Sequence, residues 1–449
     1  MKLKIIIAAI CISFSPYLLG NGFLNKCFLV SVKDDPIKVI NVDTNVIVDA
    51  ISGSGGDAGS LLMTISNNGS IGYVTNNIAG TVSVINITAS TVTDTIIVDS
   101  FPWGIVTTAE SISTATVYVA NAGSNNINVI SAADKIITST ITDASFAAPR
   151  GLTITPDNET LYVVNSNNNS IAIVDITDNN TVVGTVTDTN HLLDFPSTMV
   201  LVPGGTKAYV TGVSGVVIVD TATNKVTGKV TDPYNLTTIS GIAFTPDGLT
   251  AYATALDENK VAIINVATDT VTGLVDDSAF NFDGPLGIAV AYPGQKAYIT
   301  NQQPPYNVSI LNTETNTITG VITGGQESYG IVFRLGSQAP IANNSVTYTQ
   351  SGQSVAVTLS GYADKVVPLT FTITDEPQFG TLGSITQTGY FTAQVTYTPN
   401  DPTFAGFDGF TFSVNDGVYD SYLPGSVSVV VSSPDSFVNR LIEKYDAPI

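Results

Sequence analysis

The groups that usually carry chemistry are scarce in this sequence. Its 449 residues hold one histidine, His191, and two cysteines, Cys11 and Cys27. A His- or Cys-rich metal centre cannot be assembled from that supply. No C-x-x-C-H run is present for covalent haem. Gly53-Ser-Gly-Gly56 precedes no helical pattern, so it reads as a turn rather than a phosphate cradle. A Ser-His-Asp triad has only His191 to use, in the loop running from Asp188 to Pro196, and nothing marks a partner serine; an exposed loop histidine is the reading. Asp375-Glu376 and Asn415-Asp416 offer oxygen ligands to calcium but match no EF-hand loop, and turn capping suits them better. The expectation is a chain without catalytic residues, cofactor or metal.

Recognition chemistry is better supplied. Trp103, Arg150, Ser240, Leu286 and Tyr329 each stand directly before a glycine that opens an apolar run, with Ser197 at the matching place in a unit that lacks the glycine. Two aromatic rings and one guanidinium, Trp103, Tyr329 and Arg150, form a candidate ligand-binding set, because such side chains bury large areas and make directed contacts. Packing in a channel mouth is the competing role. A second series, Asp99, Asp143, Asp188, Asp232 and Asp276, recurs every 44 or 45 residues. Turn capping is its simplest role, and an acidic rim the alternative.

Those spacings need a repeating scaffold. Tyr73-Val-Thr-Asn76 returns as Tyr118-Val-Ala-Asn121, Tyr162-Val-Val-Asn165, Tyr209-Val-Thr211, Tyr252-Ala-Thr254 and Tyr298-Ile-Thr-Asn301, with the tyrosines 43 to 47 residues apart. That period fits one four-stranded propeller blade. Each unit holds four strand-like runs: one after the glycine, the tyrosine run, an alternating run ending in Asp or Asn, and a Thr/Val run. They are expected in that order from the axis outward. Thr155-Pro-Asp-Asn158 and Thr245-Pro-Asp-Gly248 supply hairpin chemistry between the first two. The count reaches seven only if residues 28–32, 37–41 and 45–51 join residues 330–335 in one blade, closing the ring with both ends of the domain and leaving no open edge there.

The tetrads resemble the YVTN-repeat β-propeller family, over residues 28–335. The resemblance implies a WD40-like toroid and leaves function open, since the family spans surface-layer and periplasmic proteins. Gly212 and Ala255 depart from the terminal Asn, which predicts altered turns after those strands.

Past residue 336 the repeat stops. Residues 337–433 show short alternating strands: 345–349, 355–359, 369–374, 393–397, 409–414 and 425–431. Leu369-Thr-Phe-Thr-Ile373, Val395-Thr-Tyr-Thr-Pro399 and Phe407-Asp-Gly-Phe resemble bacterial Ig-like, cadherin-like surface modules, which implies an antiparallel β-sandwich. Residues 434–449 read as a short helix, with Phe437, Leu441 and Tyr445 on one face. At the other end, Lys2 and Lys4 before the apolar run 5–14 read as a signal peptide over residues 1–22. The expected domains are therefore 1–22, the propeller 23–336, the sandwich 337–433 and the tail 434–449, an all-β chain.

Composition narrows the partners. The formal net charge is −21 with only 12% charged residues. A polyanion repels nucleic acid and anionic lipid, whose binding depends on Lys and Arg releasing counterions. The reading is a secreted or cell-envelope binding module, extracytoplasmic, that takes a protein, peptide or glycan ligand and no nucleic acid. The alternatives are a propeller hydrolase of lactonase type working in the channel and a structural surface-layer component.

Overall fold

The computed structural model describes residues 26–433 except 32–36, 54–58, 67–68, 109–112, 156–157, 203–206, 246–247, 276–283, 292–294, 305, 324–327, 335–339, 343–344, 363–367, 390, 418–420 and 422–424. The signal and tail readings fall outside them. The chain divides into two compact units, Met1–Ser337 and Gln338–Ile449.

The first unit is a seven-bladed propeller, each blade a four-stranded antiparallel sheet. Blades 1 to 6 follow the chain, and each begins with its innermost strand: Ser60–Ile65, Pro102–Thr107, Pro149–Ile154, Thr198–Leu201, Ile239–Phe244 and Pro285–Ala291. These inner strands touch one another in sequence around the axis. Blade 7 is composite. Its inner strand Ser328–Arg334 pairs with Lys26–Ser31, followed by Ile37–Asn41 and Val46–Ile51. Sequence and structure agree on this closure, which uses hydrogen bonds between segments some 300 residues apart.

Each position of the tetrad has a separate duty. Its tyrosine is buried between blades, and the hydroxyl reaches the turn joining the third and fourth strands of the next blade. Tyr118 donates to Asn180 Oδ1 at 2.8 Å, Tyr162 to Asn224 at 2.6 Å and Tyr252 to Asn316 at 2.7 Å. Those acceptors sit at positive φ, where Asn is tolerated best. The threonine hydroxyl binds the next inner strand: Thr75 donates to the Trp103 carbonyl at 2.9 Å, Thr211 to that of Ser240 at 2.9 Å and Thr254 to that of Leu286 at 2.8 Å. The asparagine ties its own hairpin, as Asn76 Nδ2 does to Ser83 Oγ at 2.9 Å. Gly212 does alter its turn, leaving a two-residue connection to Gly215. Ala255 does not; it pairs with Lys260 across four residues, as Asn76 does with Thr81.

The glycines that open the inner strands are there for clearance. A Cβ on Gly104 would lie 2.0 Å from the Arg150 carbonyl, one on Gly151 2.7 Å from that of Ser197, and one on Gly241 2.6 Å from that of Leu286. Neighbouring inner backbones thus come closer than any side chain allows.

At the rim, all seven outermost strands carry a β-bulge at the same place in their pairing with the third strand. In five blades the extra residue is a threonine whose hydroxyl donates to the third-strand carbonyl beside the bulge: Thr93 to Val84, Thr138 to Val129, Thr227 to Ile218, Thr272 to Ile263 and Thr319 to Ile310. Val183 and Val48 stand there in blades 3 and 7 and are exposed. Repeated bulges twist the exposed edges and hinder pairing with another chain.

The apolar core lies between blades. Val106, Tyr118 and Ile127 of blade 2 pack with Leu152, Leu161 and Val174 of blade 3. Each fully buried Val or Leu contributes roughly 1.5–3 kcal/mol over its exposed state. Cys27, a free thiol, is fully buried in such a layer, where desolvation holds its pKa well above the ordinary value.

The second unit is a two-sheet sandwich. One sheet runs Ile341–Ala342, Val355–Tyr362, Thr392–Pro399 and Gly380–Leu382, with Thr386–Gln387 added to Thr392–Pro399. The other runs Ser345–Gln350, Gly425–Ser432, Gly406–Asn415 and Thr370–Asp375. Pairing is antiparallel except between Ser345–Gln350 and Gly425–Ser432, which lie parallel. Leu359, Tyr397, Phe412 and Val429 fill the space between the sheets.

Candidate functional site

The loops that lead from each blade into the next inner strand open at the same end of the propeller as the turns between second and third strands. Trp103 and Arg150 stand at that end, each the second residue of its inner strand. The structure brings them together. The Arg150 guanidinium carbon lies 4.5 Å from the centroid of the Trp103 ring. It also lies 5.2 Å from the ring of Phe195, so an aromatic face from each neighbouring segment flanks one cation. Such contacts contribute about 0.5–2 kcal/mol, more when water is excluded. Desolvation lowers the Arg150 pKa from its ordinary value, yet a guanidinium that starts so high stays charged. Tyr329 occupies the second position of the blade 7 inner strand; its side chain lies outside the described residues. Phe195 was not among the sequence candidates. Its only signal was its place in a long loop just before Pro196-Ser197, where the unit lacks its glycine.

Inner-strand side chains of several blades pack together here. Trp103 is only 8% exposed and belongs to one apolar cluster with Leu61, Leu62 and the fully buried Leu286. Leu286 comes from blade 6, across the ring from blade 2. Ser197 and Ser240 are buried as well. Trp103 and Leu286 thus both pack within the inner strands. In the loops at this end Phe101 and Tyr234 keep 56% and 46% of their surfaces exposed.

Beside Phe195 lies a cleft of about 500 Å³ lined by Asn168, Asn169, Asp188, His191, Asp194 and Ser214, among others. His191 is exposed, with φ of 52°. Ser214 Oγ donates to Asp194 Oδ2 at 2.5 Å, and Asp188 Oδ2 accepts the Leu193 amide at 2.9 Å. Serine, histidine and aspartate thus share one cleft, but the serine spends its proton on a carboxylate. A nucleophile activated by a base would direct it to the imidazole.

The periodic aspartates cap loops in three blades. Asp143 Oδ1 accepts the Ser145 amide at 2.8 Å, and the Ser145 hydroxyl and amide hold its carboxyl below the ordinary value. Asp232 accepts the amides of Tyr234 and Leu236 at 2.9 and 2.6 Å, and Asp188 that of Leu193. Asp99 instead joins two blades, accepting from Asn126 and Asn128 at 3.0 and 2.9 Å. Asp276 lies outside the described residues. In the sandwich, Asp375 accepts the Thr411 hydroxyl at 2.7 Å and Asn415 Oδ1 the Gly417 amide at 2.6 Å. Among the described residues no three His, Cys, Asp or Glu side chains are placed to hold one metal ion, and no helix is long and apolar enough to cross a membrane.

Comparison with known proteins agrees with this architecture. The seven-bladed β-propeller lactonase family matches residues 56–203, and a bacterial Ig domain matches residues 337–429. No curated protein matches the chain. Solved structures share the propeller at low identity. Hydrazine synthase of Kuenenia stuttgartiensis is 19% identical with a TM-score of 0.52, over 66% of this chain and 97% of that one. A Bacteroides fragilis protein assigned as a 6-phosphogluconolactonase is 15% identical with a TM-score of 0.53, over 70% and 99%. Apo AztD from Citrobacter koseri is 14% identical with a TM-score of 0.51, over 68% and 96%. At these identities the likeness is one of fold.

Proposed function

We propose that this chain is an extracytoplasmic binding module of the YVTN-repeat type, and that the loop-bearing end of its propeller takes a protein, peptide or glycan ligand. The observation that carries the reading is the cation fixed between two rings, Arg150 between Trp103 and Phe195. The pair that contacts ligand is Arg150 with Phe195; Trp103, nearly buried, is the platform beneath. Phe101 and Tyr234 extend the surface with exposed aromatic area of the kind that dominates binding energy. The Ig-domain match supports export to a surface or the extracellular space.

A lactonase-type hydrolase is the second reading. The lactonase-family match favours it, because it covers Trp103, Arg150, His191 and every residue named in the cleft except Ser214. One experiment separates the two. The purified chain is titrated against peptide and glycan arrays and assayed for lactone hydrolysis, beside Arg150→Ala, Phe195→Ala and His191→Ala. A binding module loses at least about tenfold in affinity with Arg150→Ala or Phe195→Ala and is indifferent to His191→Ala. Lactone turnover abolished by His191→Ala establishes the hydrolase instead.

A further inference from the structure

The sandwich carries an aromatic surface that nothing in its own sheets covers. Tyr348 pairs directly with Val430, and Val430 with Phe407, so the three side chains form one row across three adjacent strands. The row faces away from the core, because Val429 and Val431, its neighbours along the strand, point inward and are buried. Tyr348 is 54% and Phe407 79% exposed, and Val430 is partly exposed. The next row, Val346, Ser428 and Gly409, is low where Ser428 and Gly409 stand and forms a shelf beside the aromatic one.

We propose that the occupant of this surface is the chain's own segment 435–445, which lies outside the described residues. Three arguments point to it. The strand Gly425–Ser432 ends two residues beyond Val430, and a proline at 434 has no N–H to extend the ladder, so the sequence that follows starts beside the row. Phe437, Leu441 and Tyr445 recur every four residues, which on a helix gives one apolar stripe about 12 Å long. The row spans two strand spacings, about 10 Å, so a helix crossing the strands matches stripe to row. Asn439 and Glu443 fall on the opposite side of such a helix, which docking turns toward water, while Arg440 and Lys444 stand at one flank of the stripe. A stripe this short is marginal as an isolated helix and gains its order from the surface it covers.

Trypsin tests this on the full-length protein, since Arg440 and Lys444 place two cleavage sites inside the segment. Cleavage under native conditions is followed by mass spectrometry for wild type, Phe407→Ser, Tyr348→Ser and Leu441→Ser. The three replacements lie on the surface or in the segment, so the sandwich fold is retained. Docking predicts that each variant is cut after Arg440 and Lys444 about tenfold faster or more, with other sites unchanged, because cleavage tracks the population of the undocked form. Equal rates in all four proteins overturn the proposal. So does a wild-type dimer that Phe407→Ser converts to monomer without altering tail cleavage, which assigns the face to a second copy.

Discussion

The hydroxyl of Tyr298 donates a hydrogen bond of 2.6 Å to Oδ1 of Asn45, 253 positions earlier in the chain. The same hydroxyl lies 3.1 Å from the Val42 carbonyl, and Lys296 Nζ donates to that carbonyl at 3.0 Å. This joint holds the composite blade to its neighbour. Desolvation, the largest cause, raises the Tyr298 pKa, so the phenol keeps its proton throughout the neutral range. Tyr298→Phe is expected to cost about 1–2 kcal/mol in urea unfolding, because Asn45 and Val42 lose their donor in a partly buried site. Deleting residues 26–51 removes three of the four strands of blade 7 and should abolish the folded monomer, as sedimentation would show.

Blade 4 makes the corresponding joint with charge. Lys207 Nζ lies 2.7 Å from Asp269 Oδ1, and the Tyr209 hydroxyl donates to the same oxygen. Both charged side chains are less than a third exposed. Asp269→Ala strands an ammonium and a phenol and should lower stability by about 2–3 kcal/mol. Asp269→Asn installs the residue used at other joints, so its cost should be about half as large. Equal losses in the two variants would show that a neutral acceptor recovers nothing here and that the carboxylate charge carries the joint.

Acid should weaken the turns. The Thr177 hydroxyl and amide hold Asp175 below its ordinary pKa, and the Thr223 amide and hydroxyl do the same for Asp220. A carboxyl whose folded value is depressed stabilises the fold fully above its unfolded value, about 3.9. That contribution is lost as pH falls through the lower folded values. The unfolding midpoint is therefore expected to drop below about pH 4. Asp175→Asn and Asp220→Asn keep an acceptor without a titrating group, so the double variant should show a shallower drop between pH 5 and pH 2 than wild type.

Two glycines separate clearance from flexibility. Gly104→Ala forces a Cβ against the Arg150 carbonyl and should cost about 3 kcal/mol or more. Gly228→Ala, on an outer strand with open space around the new methyl, should fall within about 0.5 kcal/mol of wild type. Thermal midpoints of the two variants give the comparison.

The rim offers a gain. Val183 occupies a bulge position where five other blades place threonine, and it is 62% exposed. Val183→Thr supplies the missing hydroxyl next to a third-strand carbonyl and should add about 0.5 kcal/mol. No change in midpoint would mean that water already serves that carbonyl as well.

Much of the fold was legible because it repeats. A tyrosine every 43 to 47 residues names a blade, and residues 28–51 had no blade unless they joined residues 330–335. Trp103 and Arg150 were legible as neighbours because they share one register. Phe195 was not, since a residue in a long irregular loop has no register to inherit. The bulges were hidden for a related reason. A Thr/Val run reads alike with or without one extra residue, and only the pairing reveals that Thr93 or Thr138 stands out of step. The parallel pairing of Ser345–Gln350 was equally silent, because strand direction leaves no mark on alternation.

Pairing of Lys26–Ser31 with Ser328–Arg334 also orders events in time. A polypeptide made from its N-terminus holds three strands of a blade long before the fourth exists. Bringing those ends together costs on the order of 5 kcal/mol of chain entropy, repaid only when blades 1 to 6 already hold them near each other. Closing the ring is thus the last step of the propeller, open to the nascent chain only when the second unit is all that remains to be made. Until residue 334 emerges the molecule remains an open arc, a state that can still be threaded or pulled apart from either end.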